Sequence, residues 1–285
     1  MGLLLSLPAM SVVFSFRVVG FPDLTPDGSF ALGAGLAATL LLHGRGEVLA
    51  IAAASFAGAV TGAITACLHT ELRVSKLLSG ILMMTLLYSV ALRVMGTSNL
   101  SLLRSRTTIT ALEDAGGGWF TCFAAVVVAG VFFVLWTLLQ TELGLRLRSA
   151  GETNQMLEYR GLSRGPLYVI GLALSNGLAA FGGAIVAEYQ GFADVSMGLG
   201  LVIICLAAVV VGETVMRPER VGSLLLAPVI GMVLYQCIIA GALRIGLRAT
   251  DLKLVSAVLV LAFVGIERLR RESGSTGRQI GNRSI

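Results

Sequence analysis

Hydrophobic positions in this chain fall into long, nearly uninterrupted blocks, without the two-residue alternation of half-buried strands. A hydrocarbon core of about 30 Å is crossed by roughly 20 helical residues. On that measure the candidate spans are Gly2 to Val19, Ser29 to His43, Val48 to His69, Lys76 to Val94, Trp119 to Gln140, Pro166 to Glu188, Ser196 to Gly212, Val221 to Ala242 and Leu252 to Ile266. Ser29 to His43 and Ser196 to Gly212 are short, so each predicts a broken or re-entrant helix as readily as a full crossing, and the count is eight or nine. The expected fold is all-α: a polytopic helical membrane protein forming one transmembrane domain over 1–266. The segment 267–285, rich in Gly, Ser and charge, is expected to be a disordered basic tail.

Composition supports that class. Hydrophobic residues make up 56% of the chain and charged residues 13%, with a mean hydropathy of +0.88. A soluble domain carries nearer 25% charge. Thirty-five glycines suit closely packed transmembrane helices. Gly58 and Gly62 form a G-x-x-x-G, a weak signal in a chain so rich in small residues. Met1 to Val19 lacks a basic n-region and a clear cleavage site, and reads as a first span. Cys67, Cys122, Cys205 and Cys237 all lie in apolar stretches and read as small buried hydrophobes. The two histidines, His43 and His69, stand far from any cysteine, and no metal site follows. The basic balance, with a pI near 9.3, suits positively charged cytoplasmic loops without invoking nucleic acid.

Between two apolar blocks lies a polar island, Thr141 to Gly165, holding seven charges. Charges at the bilayer centre cost about 2.5 to 3.5 kcal/mol each on insertion scales, so the island belongs in water or against a protein partner. If it is placed in the cytoplasm and the spans alternate, fourteen Lys and Arg residues fall inside and seven outside. The positive-inside rule then puts the N-terminus outside and the C-terminus in the cytoplasm.

Two stretches echo each other. Gly20-Phe21-Pro22-Asp23-Leu24-Thr25 and Gly191-Phe192-Ala193-Asp194-Val195-Ser196 share G-F-x-D-x-[ST], and each precedes a short span. On this map the first faces inward and the second outward, which suggests an inverted repeat with interrupted helices and a solute path at the repeat interface. Pro22 and Pro26 disfavour continuous helix, so Asp27 and Ser29 are expected to cap a helix starting near Phe30. Asp23 and Asp27 are either caps and turn formers or a cation or gating site. Glu188 and Asp194 pose the same choice at the outer end. Catalytic machinery is missing: the only lysines, Lys76 and Lys253, are preceded by Ser75 and Leu252, so neither belongs to a P-loop, and no H-E-x-x-H or G-x-S-x-G occurs. If ATP drives this protein, ATP and Mg belong to another subunit.

The run Gly144-Leu145-Arg146-Leu147-Arg148-Ser149-Ala150-Gly151-Glu152, with Gly161 beyond it, resembles the cytoplasmic loop of bacterial ABC importer permeases of the branched-chain amino acid and ribose type. Phe21-Pro22-Asp23-Leu24-Thr25-Pro26-Asp27-Gly28-Ser29-Phe30, Leu78 to Thr85 and Leu92 to Leu102 resemble a subgroup associated with tryptophan or tyrosine import. Where relatives place Asn or Asp after the loop glycine, this chain has Glu152 and Thr153, with Asn154 one later.

The resemblance implies a homodimeric pathway in the plasma (inner) membrane, cytoplasmic P-loop ATPase subunits docked on the islands, and an extracytoplasmic binding protein delivering a small solute such as an aromatic amino acid. It implies that Gly151 ends or bends a short helix and that Arg148, Gly151, Glu152, Asn154, Met156, Tyr159 and Gly161 form the coupling surface. Asp23, Asp27, Ser29, Phe30, Met84, Tyr88, Asn99, Glu188 and Asp194 are the candidates for the path or its gates. An ion-coupled secondary transporter would be expected to bury an ion-coupling carboxylate at the membrane midplane, and the span map places none there. A scaffold would need no interrupted helices.

Overall fold

A computed structural model describes residues 1–102, 107–109, 116, 118–152, 164–216 and 220–245. The expected span Leu252 to Ile266, the tail 267–285, and Asn154, Met156, Tyr159 and Gly161 of the island lie outside the described residues.

Helix α1 (Gly2–Val13) continues through a π-helical turn, Phe14–Val18, and an elbow leads to α2 (Thr25–Leu42). Next along the chain are α3 (Glu47–Thr70), α4 (Lys76–Met95), strand β1 (Asn99–Ser101), α5 (Trp119–Gln140) and the island helix α6 (Glu142–Glu152). Then come α7 (Gly165–Gln190), strand β2 (Phe192–Asp194), α8 (Leu201–Met216) and α9 (Val221–Arg244). Five of these helices, α3, α4, α5, α7 and α9, are long and apolar enough to cross a bilayer.

Helix α7 is the hub. Of its most apolar stretch 67% is buried, against 22% for α5, and it packs on α1, α2 and α3. Glycines set the approach. A Cβ at Gly62 would overlap the Leu172 carbonyl oxygen, and one at Gly58 would overlap the Ala180 methyl, so the weak G-x-x-x-G is a true backbone contact. The outer faces of α3, α4, α5 and α9 carry exposed apolar side chains such as Phe56, Leu86, Val126 and Leu234, as expected of surfaces that meet lipid or other apolar partners. This corrects the cysteine reading. Cys205 is buried, but Cys67, Cys122 and Cys237 are exposed on these apolar faces, where burial inside the protein is not needed to keep a thiol out of water.

The run of contacts shows how the halves oppose each other. Gly171 of α7 meets Val19 at the end of α1, Ser175 bonds Ser11, and Gly182 meets Pro8, so α1 and α7 are antiparallel. The two G-F-x-D turns at the ends of these helices therefore lie at opposite ends of the bundle. Gly20 (φ +66) and Gly191 (φ +73) both adopt the left-handed conformation that glycine tolerates best.

The short spans begin elsewhere than expected. Helix α2 starts at Thr25, with Pro26 in its first turn, where a missing N–H costs nothing. Helix α8 starts at Leu201, because Ser196 to Gly200 forms turns. Its beginning is inside the bundle: Gly198 abuts the Asp27 carbonyl, and the neighbouring Gly28 packs on Met84 and Leu87, midway along α4.

Candidate solute path and coupling site

The elbow Gly20–Leu24 turns the chain from α1 into α2, and its one acidic side chain ties the start of α2 to α7. Asp23 Oδ1 accepts the Thr25 N–H at 2.9 Å, starting the helix, while Oδ2 accepts from Asn176 Nδ2 at 2.8 Å. The Asn176 side-chain oxygen accepts from the Ser29 hydroxyl at 2.8 Å, Ser29 and Thr61 share a bond at 2.9 Å, and Thr25 and Thr65 share one at 3.0 Å. Asp23, Thr25, Ser29, Thr65 and Asn176 are wholly inaccessible. The result is a polar seam joining α2, α3 and α7, in which each group meets a partner that makes its burial tolerable. Phe30 is also buried, its carbonyl against Gly183 of α7.

Asp27 and Ser29 do not cap α2, contrary to the sequence expectation. Asp23 takes the Thr25 N–H just before the helix, and one helical turn on Asp27 points at another helix. Its Oδ2 accepts the Gly200 N–H at 3.0 Å and its Oδ1 accepts the Val202 N–H at 2.6 Å. A carboxylate there satisfies unpaired amides of α8 and sits at the positive end of its dipole. The two interrupted helices are thus clasped together through Asp27. Three carboxylates, those of Asp23, Asp27 and Glu188, are buried inside the bundle.

At the opposite end β1 and β2 pair antiparallel with Asn99 opposite Asp194, a contact that three-residue strands do not announce in a sequence. Asn99 Nδ2 lies 3.2 Å from Asp194 Oδ2. Asp194 Oδ1 accepts from both the hydroxyl and the N–H of Ser196, the latter at 2.7 Å. This is the turn that Asp23 makes with Thr25, so the sequence echo is also a geometric one. The Ser196 hydroxyl, its backbone N–H and the Asn99 amide hold the half-buried Asp194 carboxyl below its ordinary value of 3.8.

Glu188, near the end of α7, is 1% exposed and faces the carboxyl of Glu47 at the start of α3. Glu47 Oε2 accepts from the N–H and hydroxyl of Thr108 at 2.9 and 2.6 Å. Among the described residues the Glu188 oxygens are the only buried side-chain N or O atoms with no hydrogen-bond partner.

At the elbow's end of the bundle lies the island helix. Leu147 is fully buried and Ala150 nearly so, while Glu142, Leu145 and Arg146 are exposed and Arg148 is half-buried. Gly151 lies next to the last described residue of α6 and makes a close approach to the elbow. A Cβ on it would lie 2.6 Å from the Val18 carbonyl oxygen and 3.2 Å from the Gly20 nitrogen. Across the elbow Lys76 Nζ donates to the Gly20 carbonyl at 3.0 Å and to the Tyr168 hydroxyl at 3.1 Å. Its ammonium stands 4.7 Å from the Tyr168 ring centroid and 5.5 Å from that of Phe21, and Phe21, His69 and Tyr168 meet edge to face. An open cleft of about 810 Å³ beside them is lined by His69, Thr70, Glu71, Lys76 and Arg164.

Met84 is half-buried with its backbone against Gly28 of α2, Tyr88 is exposed on α4, and neither bonds to the seam. The structure thus joins Asp23 to Ser29 and Asn99 to Asp194, and leaves Glu188, Met84 and Tyr88 separate. Sequence reasoning passes over Asn176, Thr61, Lys76 and Tyr168. An amide inside the apolar block Pro166 to Glu188 is the signal that points to Asn176, since polar groups at that depth need partners.

Oppositely oriented interrupted helices, clasped inside a polytopic bundle with one charged helix at its edge, define a membrane permease. The chain belongs to the family described as branched-chain amino acid transport system / permease component, whose profile matches residues 1–265. It is a multi-pass inner-membrane protein and an ABC-type permease for small solutes. It is 34% identical over 268 residues to the tyrosine transport system permease protein of Clostridioides difficile, covering 94% of this chain and 89% of that one. It is 30% identical over 267 residues to an uncharacterized Rickettsia prowazekii protein, covering 92% and 93%. With the ribose import permease protein RbsC of Escherichia coli it shares 25% over 260 residues, covering 87% and 78%. No solved structure matches it significantly.

Proposed function

We propose that this chain is the membrane half of an ATP-driven importer that carries an aromatic amino acid, with tyrosine the first candidate. In this reading two copies form the pathway, an extracytoplasmic binding protein delivers the solute, and cytoplasmic P-loop ATPase subunits, which carry ATP and Mg, dock on the 141–165 segment. The positive-inside count supports a cytoplasmic island. The observation that carries the reading is α6 itself: a charged helix with an exposed outer side and a buried inner side set against the elbow of an interrupted helix. The similarity to a tyrosine transport system permease supports the substrate choice.

Buried carboxylates give the ion-coupled alternative one observation of its own. Asp23 and Asp27, however, are engaged by protein donors, which leaves only Glu188, among the described residues, free to serve an ion. The test is reconstitution with a candidate ATPase and binding protein in proteoliposomes, following radiolabelled tyrosine. Uptake that needs ATP and stops when the binding protein is left out is the expected result. Uptake driven by a proton or sodium gradient without ATPase would overturn the reading, and uptake of ribose in place of tyrosine would overturn the substrate.

A further inference from the structure

We propose that the elbow Gly20–Leu24 is the linkage through which the island helix moves the interrupted helices, with Lys76 as a positioning residue that keeps the elbow engaged. This rests on the docking of an ATPase at the island and adds the route by which a docked partner would act. Three contacts carry it.

First, α6 touches the elbow backbone to backbone. A Cβ on Gly20 would lie 2.8 Å from the Gly151 Cα, and one on Gly151 would lie 2.6 Å from the Val18 carbonyl oxygen. No side chain stands between the two segments to absorb a displacement by changing rotamer, and close-packed contacts of this kind pass on strain.

Second, the elbow cannot slide away from α6 without breaking its hold on α4. Lys76 grips the Gly20 carbonyl at 3.0 Å and stands over Phe21, which is wholly buried against His69 and Tyr168. One turn further along α4, Gly80 admits the elbow so closely that a Cβ there would lie 2.8 Å from the Leu24 nitrogen. Lysine suits this place. A compact ammonium can meet one carbonyl, one hydroxyl and two ring faces at once, where a planar guanidinium could not.

Third, the elbow leads directly to the helix starts. Asp23 holds the first amide of α2 and the Asn176 amide of α7, and Asp27, one turn on, holds the amides that begin α8. A shift of α6 therefore reaches both interrupted helices through the five elbow residues, the first turn of α2 and the carboxylates of Asp23 and Asp27. Its other inner contact, Leu147 against Gly171, meets α7, the most buried of the five long apolar helices. A contiguous chain of this kind is the physical route that coupling between sites requires.

The experiment uses the full chain, with Cys67, Cys122, Cys205 and Cys237 replaced by Ala and Leu24→Cys as a reporter, reconstituted with its ATPase. Maleimide labelling of the introduced thiol is timed with and without ATP plus vanadate. The expected result is a rate change of about fivefold or more, the lower range of coupling between sites. That change is lost in Gly151→Ala and in Lys76→Met and returns in part in Lys76→Arg, and in the Lys76 variants, outside the docking segment, the ATPase stays bound and hydrolysing. A purely structural clamp would instead lower thermal stability and leave the trapped-state change intact. Lys76→Met carries the test by itself if Gly151→Ala fails to fold, because Lys76 lies on α4, outside the docking segment. Persistence of the change in Lys76→Met, or a reporter that stays silent while the ATPase is bound, overturns the linkage alone. An ATPase that does not bind the wild-type chain overturns the docking reading and this proposal with it.

Discussion

Three carboxylates inside one apolar bundle meet two different fates, and the difference lies in what donors surround them. Asp23 has the Thr25 amide and the Asn176 side chain, and Asp27 has two amides of α8, so the desolvation of each is offset by charge-assisted bonds. Glu188 has neither, and it faces a second carboxyl, Glu47. A buried polar group without a partner costs about 1–3 kcal/mol. Glu188→Gln keeps the shape, cannot ionise and supplies two donors toward Glu47. The expected outcome is a gain of about 1 kcal/mol, read as a rise of a few degrees in the thermal midpoint of the purified protein. A fall of the midpoint would mean that the Glu188 carboxylate is held by a donor and contributes stability. At this scale the sequence is only partly readable. Asp23, Asp27, Ser29 and Glu188 stand out as polar groups at the edges of apolar blocks, but their partners do not, because Asn176 lies 153 residues from Asp23 and Gly200 lies 173 from Asp27.

Among the helices, the short ones hold the interest. Both are visible as short apolar blocks, since Pro22, Pro26 and the glycines at 198 and 200 interrupt the pattern. Their true starts are not visible, because a sequence offers the nearest acidic residue as the cap, whereas Asp27 serves a helix on the far side of the chain. The strand pair β1–β2 escapes for a related reason: three residues per strand carry no readable period, and only their mutual contact defines them. If Asp27 is the cap of α8, Asp27→Ala leaves two amides at its start without their acceptor. Loss of an N-cap costs about 0.5–2 kcal/mol. The expected result is faster amide hydrogen exchange concentrated at residues 200–204, with the first turn of α2 unchanged. Loosening at Thr25 to Ser29 with α8 unaffected would instead return Asp27 to the role of a cap on its own helix. Asp27→Asn, which keeps one acceptor oxygen, is expected to fall between the two.

The molecule as a whole is two opposed runs of helix, each leading through Gly-Phe-x-Asp into an interrupted helix. Span lengths, the short blocks and the echo make this architecture legible from sequence, because a bilayer imposes length and polarity on every segment that crosses it. The antiparallel packing of α1 on α7 is what turns the echo into an inversion, and it rests on contacts between Gly171 and Val19 and between Gly182 and Pro8 that sequence alone does not pair. Inversion has a consequence that can be measured without any solute or partner. The α3–α4 turn lies at the elbow's end of the bundle, and the α4–β1 turn lies at the end of the second G-F-x-D. Ser75 and Thr97 are exposed in these two turns. Introduced separately in a chain freed of its own cysteines, Ser75→Cys and Thr97→Cys are expected to react with a membrane-impermeant maleimide from opposite sides of the membrane. The positive-inside count predicts that Thr97→Cys reacts in intact cells and that Ser75→Cys reacts only after the membrane is opened. Labelling of both from one side would contradict the inverted arrangement. Labelling with the two sides exchanged would keep the inversion, but it would turn the island outward, out of reach of any cytoplasmic ATPase.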